Sequence, residues 1–263
     1  MKNMKRIFCT AISIGVLIQW TVAQNDPLYH LQAAPAHIGL PAVWTGLTTG
    51  GVTVEGDTIV VAIIDDGFDL GHEDLKSNFW KNRSEIPNNG IDDEGNTYMD
   101  DYHGWNAYNS TGNVPAANHG TVVSGIIGAK GNNGTGVCGI NWNIKMLPVG
   151  GSSSDTEVVR RAVDYIIKMR QLYHQTSGQK GAFIVAVNFS FGPSILSSPT
   201  LADDLSDWRT MIEDLGSVGI LSCQAAGNNG INLDQIAAQM QILHGADHHI
   251  LVKIGRASCR ERV

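Results

Sequence analysis

Positive charge is scarce in this 263-residue sequence: 18 Lys and Arg face 25 Asp and Glu, for a formal net charge of −7. A nucleic-acid binder needs clustered cations to neutralise phosphates, so that class is excluded. Cysteine is scarce as well, with four in all. Cys9 and Cys259 lie in terminal segments set apart below, which leaves Cys138 and Cys223 and at most one disulfide. Each stands in an apolar stretch, and two buried free thiols are the expectation. His72, His103 and the adjacent His248 and His249 lack partners at metal-ligand spacing, so zinc is not expected. The apolar run from Ile7 to Trp20 falls short of the ~18 residues that a membrane span requires. There is no internal repeat and no composition shift that marks a second domain.

What is present begins with a leader. Lys2, Lys5 and Arg6 precede the apolar run, and Thr21-Val22-Ala23 puts small residues where a signal peptidase cuts, so residues 1–23 are expected to be a signal peptide. The last ten residues, from Ile254, match no element of the preceding pattern and are expected to be a sequencing-adapter artefact. Removing the +3 of the leader and the +2 of the tail leaves −12 on residues 24–253. That acidic balance is compatible with calcium, and the leader implies a secreted or periplasmic protein.

A hydrophobic content of 43% suits one large α/β domain. Runs rich in β-branched and apolar residues at Thr58–Ile64, Ile144–Val149, Phe183–Phe189 and Val218–Ala225 have no polar face, as buried parallel strands do. Helical patterns separate them. One follows Ser154, which with Glu157 makes a Ser-x-x-Glu capping box, and it buries Val158, Val159, Ala162, Val163, Ile166 and Ile167 as a stripe. Another covers Leu205–Leu215, with Gly216 as its stop. Strands alternating with helices predict a doubly wound parallel sheet with helices on both faces, whose ligands bind beyond the carboxyl ends of the strands.

Three segments carry the chemistry. The first strand ends in Asp65-Asp66-Gly67, a helix opens at Asn118-His119-Gly120-Thr121, and the last strand leads into Ala226-Gly227-Asn228. A serine hydroxyl attacks a carbonyl only when an imidazole takes its proton and a carboxylate holds that imidazole, while a fixed donor meets the oxyanion. In this order the segments resemble the subtilisin-like serine proteases. The resemblance covers residues 30–253 and implies Asp65 as the orienting acid, His119 as the base and then the acid, and Asn228 in the oxyanion hole. It also implies that the segment holding Asn188, Ser190, Phe191 and Gly192 pairs with an extended polypeptide substrate, with Phe191 lining a specificity pocket. A monomer is expected.

The sequence departs from that family in three ways. Asp66 stands where many members carry Ser or Thr. Few residues separate the leader from the first strand, too few for the usual inhibitory prodomain. No Gly-Thr-Ser nucleophile motif occurs, so the expectation is a peptidase domain incomplete at its C-terminus, lacking its nucleophile and inactive alone. The rival is a secreted calcium-binding pseudoprotease that holds peptide without cutting it. For calcium, oxygen side chains alternate at Asp92, Glu94 and Asn96 and recur at Asp100 and Asp101, a spacing that lets one loop aim several hard ligands at one ion. The resemblance adds Asp74 with Asn133 as a second structural calcium site.

Overall fold

The structure is a computed structural model that describes residues 24–45, 50–192, 201–225 and 228, with 201–205 as backbone alone. The expected signal peptide and the terminal tail lie outside the described residues. Five parallel strands form one sheet: β1 (Val60–Asp65), β2 (Trp105–Asn106), β3 (Lys145–Gly150), β4 (Ile184–Phe189) and β5 (Leu221–Gln224). Their spatial order is β2-β3-β1-β4-β5. Short helices α1 (Ala33–His37) and α2 (Leu40–Trp44) precede the sheet, and α3 (Asn118–Gly128), α4 (Thr156–Gln175) and α5 (Leu201–Ser217) lie between strands.

β1 is central because both of its faces are apolar. Val60, Ala62 and Ile64 face a core shared with α4 and α5, including Val159, Val163, Ile166, Met211 and Leu215. Ile63 faces the other core, with Phe68, Phe79, Ile144 and Met146, against which Val123 and Ile127 of α3 pack. Period-two alternation of a strand therefore feeds two layers, and Asp65 falls on the α3 side by the same count. Each fully buried aliphatic side chain here contributes ~1.5–3 kcal/mol relative to exposure. The expected doubly wound α/β class is what folds. Cys138 and Cys223 are both free thiols, but only Cys138 is buried and Cys223 is half-buried; burial pushes the Cys138 thiol up to about 12.

Two helix ends differ from the expectation. Asp155, not Ser154, caps α4: its Oδ1 accepts from the Glu157 N–H at 3.0 Å. A carboxylate beats a hydroxyl there because it adds charge opposite in sign to the helix N-terminus. Gly216 does not stop α5, which runs to Ser217. The reversal comes at Gly219, at φ +76°, where Gly219 N donates to Gly216 O and Ile220 N to Leu215 O. The two-residue β2 was not expected, being too short for any periodicity to show.

The topology sets the site. From β1 the chain returns through α3 to β3 on one side, whereas from β4 it continues through α5 to β5 on the other, so the crevice opens between β1 and β4 at their carboxyl ends. Asp65 is the last residue of β1, and His119 is the second residue of α3.

Candidate active site

Asp65 and His119 are 54 residues apart in sequence, and His119 Nδ1 lies 2.7 Å from Asp65 Oδ1. The burial is asymmetric: the aspartate side chain is 1% exposed and the imidazole 59%. With Nδ1 committed to the carboxylate, Nε2 is the nitrogen left to exchange protons at the cleft. Burial pushes the Asp65 carboxyl up, and the hydrogen bonds from His119 and from the Asp66 N–H oppose that shift. Its second oxygen, Oδ2, is buried without a partner among the described residues, so the imidazole is the main group answering its charge.

Local sequence explains how the pair is held. Asp66 Oδ1 accepts from Gly120 N at 3.0 Å, satisfying one of the open N–H groups in the first turn of α3, where the N-cap Ala117 has no side chain to offer. Thr121 Oγ1 donates to Ala117 O at 2.6 Å and accepts from Asp69 N at 2.8 Å, stitching the helix entry to the loop after β1. Phe68 N donates to Pro115 O at 2.7 Å. Gly67 is required by that closeness, since a Cβ there would meet the Pro115 carbonyl and, at 3.0 Å, the Ala117 Cβ. The Asp-Asp-Gly and His-Gly-Thr segments are thus two halves of one clasp. Asp66 and Thr121 were not assigned such roles from sequence, because the clasp is made between segments remote along the chain.

The expected substrate segment runs off the same edge. Asn188 and Phe189 pair inside the sheet with β1 and β5, so their backbone is already engaged. Ser190, Phe191 and Gly192 continue beyond the paired strand, and the Asn188 Nδ2 donates to Ser190 Oγ at 2.9 Å. The Phe191 ring packs against Phe189 and Trp208, with centroids at 6.0 and 5.8 Å. Asn228 stands exposed in a bend four residues after β5. No serine hydroxyl among the described residues bonds His119: Ser124 Oγ donates to Gly120 O at 2.7 Å, and Ser222 is buried.

The acidic loop divides into two sets. Glu94, Asn96 and Asp101 come together in the interior with Asn82 and Glu85, which sequence spacing had not marked. Ligand oxygens of Glu85, Glu94 and Asp101 lie within 4.8 Å of one another. Asn82 Nδ2 bridges Glu94 Oε1 and Asp101 Oδ1 at 2.7 and 2.6 Å. Asp92 and Asp100 point their oxygens at backbone: Asp92 holds the N–H groups of Gly95, Asn96 and Thr97, and Asp100 those of Asn89 and Gly90. Burial, and then the Glu94 charge, push the Asp101 carboxyl up to about 7. Glu94 is 5% exposed, and its Oε2 is buried with no partner among the described residues. Three crowded buried carboxyls with an orphaned oxygen fit a hard divalent cation. Asp74 and Asn133 also meet: Asn133 Nδ2 donates to Asp74 Oδ1, and Val137 N to Oδ2, both at 2.9 Å. There both oxygens already have N–H donors, and Asp26 joins the same loop by accepting from Asn132, Asn133 and Gly134.

A buried carboxylate and an exposed imidazole thus meet at the carboxyl end of the central strand of a wound sheet. The chain belongs to the subtilase family, peptidase S8, whose family model matches residues 56–247. It is 43% identical over 125 residues to Subtilisin-like protease 1 of Plasmodium berghei (strain Anka), covering 47% of this chain and 20% of that protein. It is 33% identical over 139 residues to the Halolysin-like extracellular serine protease Nep of Natrialba magadii, covering 50% and 22%. A protease of Pseudoalteromonas arctica PAMC 21717 superposes with a TM-score of 0.45 at 26% identity, over 78% of this chain and 59% of that one. The chain therefore spans about a fifth of the length of these two curated relatives. Among the described residues, no helix is long and apolar enough to cross a membrane.

Proposed function

We propose that the protein is a secreted serine endopeptidase that cleaves extended polypeptides as a monomer. The observation that carries this reading is the 2.7 Å contact between a buried carboxylate and Nδ1 of an imidazole that is otherwise exposed. In the proposed reaction, His119 Nε2 removes the proton of a serine hydroxyl as its oxygen adds to the scissile carbonyl, and Asp65 stabilises the imidazolium. Asn228 donates to the oxyanion, the imidazolium protonates the leaving amine as the C–N bond breaks, and water then releases the acyl group by the reverse proton path. The serine is proposed to lie beyond residue 253: the Ser124 and Ser190 hydroxyls are engaged with Gly120 O and Asn188 Nδ2, and Ser222 is buried. Ser190–Gly192 is the stretch proposed to pair with substrate backbone.

The acidic loop is proposed to hold a structural calcium ion through Glu85, Glu94 and Asp101. When bound, the ion supplies charge neutralisation and loop rigidity and takes no part in catalysis. The orphaned Oε2 of Glu94 supports this reading.

The test expresses the whole gene product and assays an unfolded protein substrate. Peptide-bond hydrolysis that disappears in His119→Ala is the expected result. Saturable peptide binding with no cleavage by a folded, complete protein would establish the pseudoprotease instead and overturn the proposal.

A further inference from the structure

The opposite edge of the sheet carries a second concavity, which the protease reading does not use. It is a cleft of about 560 Å³ at the amino ends of β1, β3 and β4, reached by Val60, Lys145 and Phe183. A volume of this order suits a small ligand. Five cationic side chains line it, Lys76, Lys81, Arg83, Lys145 and Lys180, and no Asp or Glu does. Acids outnumber bases 25 to 18 in the sequence, so chance would favour the opposite balance.

None of these cations is within ion-pair distance of a carboxylate among the described residues. The ion pairs among the described residues involve His119, Arg160 and Arg209, and none of the five. Lys145 Nζ donates to the Ser77 carbonyl and Lys180 Nζ to the Glu94 carbonyl, which orients two of the heads, and the Lys180 charge also acts on the Glu94 and Asp92 carboxyls. Burial and then the charges of Lys130 and Arg83 push the Lys145 ammonium down, so an uncompensated positive field reaches it. Behind one wall, the Arg170 guanidinium stacks on Phe183 at 4.1 Å. Arg170 is 7% exposed, and its Nε and Nη1 have no partner among the described residues. Asp57, an acid beside this wall, accepts a hydrogen bond from the Tyr173 hydroxyl and also acts on the Arg170 charge. Like charges gathered in a concave site with low-dielectric walls repel one another and focus their field outward, and a bound anion relieves that cost.

We propose that this cleft binds a small multivalent oxyanion, a sulfate, phosphate or carboxylate group or a compact molecule carrying them. From Val60 at the cleft to Asp65 at the catalytic edge, β1 spans five steps of ~3.3 Å, or ~17 Å. The ligand therefore binds apart from the peptide substrate and does not compete with it.

The test is a calorimetric titration of the full-length protein with sulfate and, separately, with succinate, at ionic strength held constant with NaCl. Neither probe strips calcium strongly. The expected result is saturable binding of one anion per chain, weakened by about tenfold or more in Lys81→Ser/Arg83→Ser and unchanged in Arg209→Ser, which alters an exposed cation on α5. Tighter sulfate binding assigns the natural ligand to the sulfate and phosphate type, and tighter succinate binding assigns it to the carboxylate type. Absence of saturation, heat reproduced by NaCl alone, or equal binding by the double variant with an unchanged melting temperature would overturn the proposal. Lys76→Ser, at an exposed position, serves as a second variant should the double variant fail to fold.

Discussion

Two glycines of α3 have the same helical backbone and opposite surroundings. An added Cβ at Gly120 would press on the Gly67 carbonyl oxygen and stand 2.9 Å from Asp65 Cβ and 3.0 Å from Phe68 Cε1. At Gly125 an added Cβ meets nothing within 4 Å. Alanine in a helix gains up to ~1 kcal/mol over glycine, so Gly125→Ala is expected to stabilise by ~0.5–1 kcal/mol. At Gly120 that gain is opposed by an overpacking cost of ~1–3 kcal/mol or more, and the main obstacle is backbone, which has little room to give. The net expectation is a loss of about 2 kcal/mol together with displacement of His119 from Asp65. Urea unfolding followed by circular dichroism measures both changes on one scale. Gly120→Ala matching or exceeding the wild type in stability would refute the packing argument at the clasp.

Other perturbations test separate parts of the structure. Asp155→Ala removes the carboxylate cap of α4 and should cost about 1 kcal/mol in unfolding free energy, whereas Ser154→Ala should leave it within error. Asp101 favours its protonated form in the fold. Between pH ~4 and ~7 the folded chain therefore keeps a proton that the unfolded chain has released, and metal-free stability should fall as pH rises through that window. The loss amounts to at most about 4 kcal/mol, and a flat metal-free stability profile across the window would contradict it. Calcium should restore stability most strongly above pH 7, where the three carboxyls are ionised, and a melting temperature indifferent to both calcium and chelator would remove the proposed ion. In the complete enzyme, Asp65→Asn should lower turnover by ~10⁴, the magnitude known for the equivalent change in an unrelated serine protease; near-normal turnover would contradict the proposed role of Asp65.

Sequence pattern carried the layers of the fold because β1, β3 and β4 are apolar on both faces, and only a sheet covered on both sides explains that. The meeting of Asp65 and His119 was legible because each occupies an element end, and wound sheets bring such ends to one edge. The interior of the acidic loop was legible only in part: Glu94, Asn96 and Asp101 were marked and are buried. The same reading marked Asp92 and Asp100, whose oxygens accept from backbone N–H groups of the turns, while Asn82 and Glu85, lying before the alternating stretch, fold inward to meet Glu94 and Asp101. Helix α4 is capped by Asp155 rather than Ser154 because a competition between two adjacent caps is settled by side-chain charge and reach, which the Ser-x-x-Glu pattern ignores. The basic cleft draws its cations from three separate stretches of chain, residues 76–83, Lys145 and Lys180, which the sequence spreads over more than a hundred positions.

The most direct test of the central claim is a proton NMR spectrum of the chain at low temperature with His119 isotopically assigned. A hydrogen bond from the imidazole Nδ1–H to the buried Asp65 carboxylate predicts a resonance far downfield of the amide region that vanishes in Asp65→Asn and persists in Asp66→Asn. A spectrum with no such resonance in the folded wild-type chain, or one unchanged by Asp65→Asn, would contradict it.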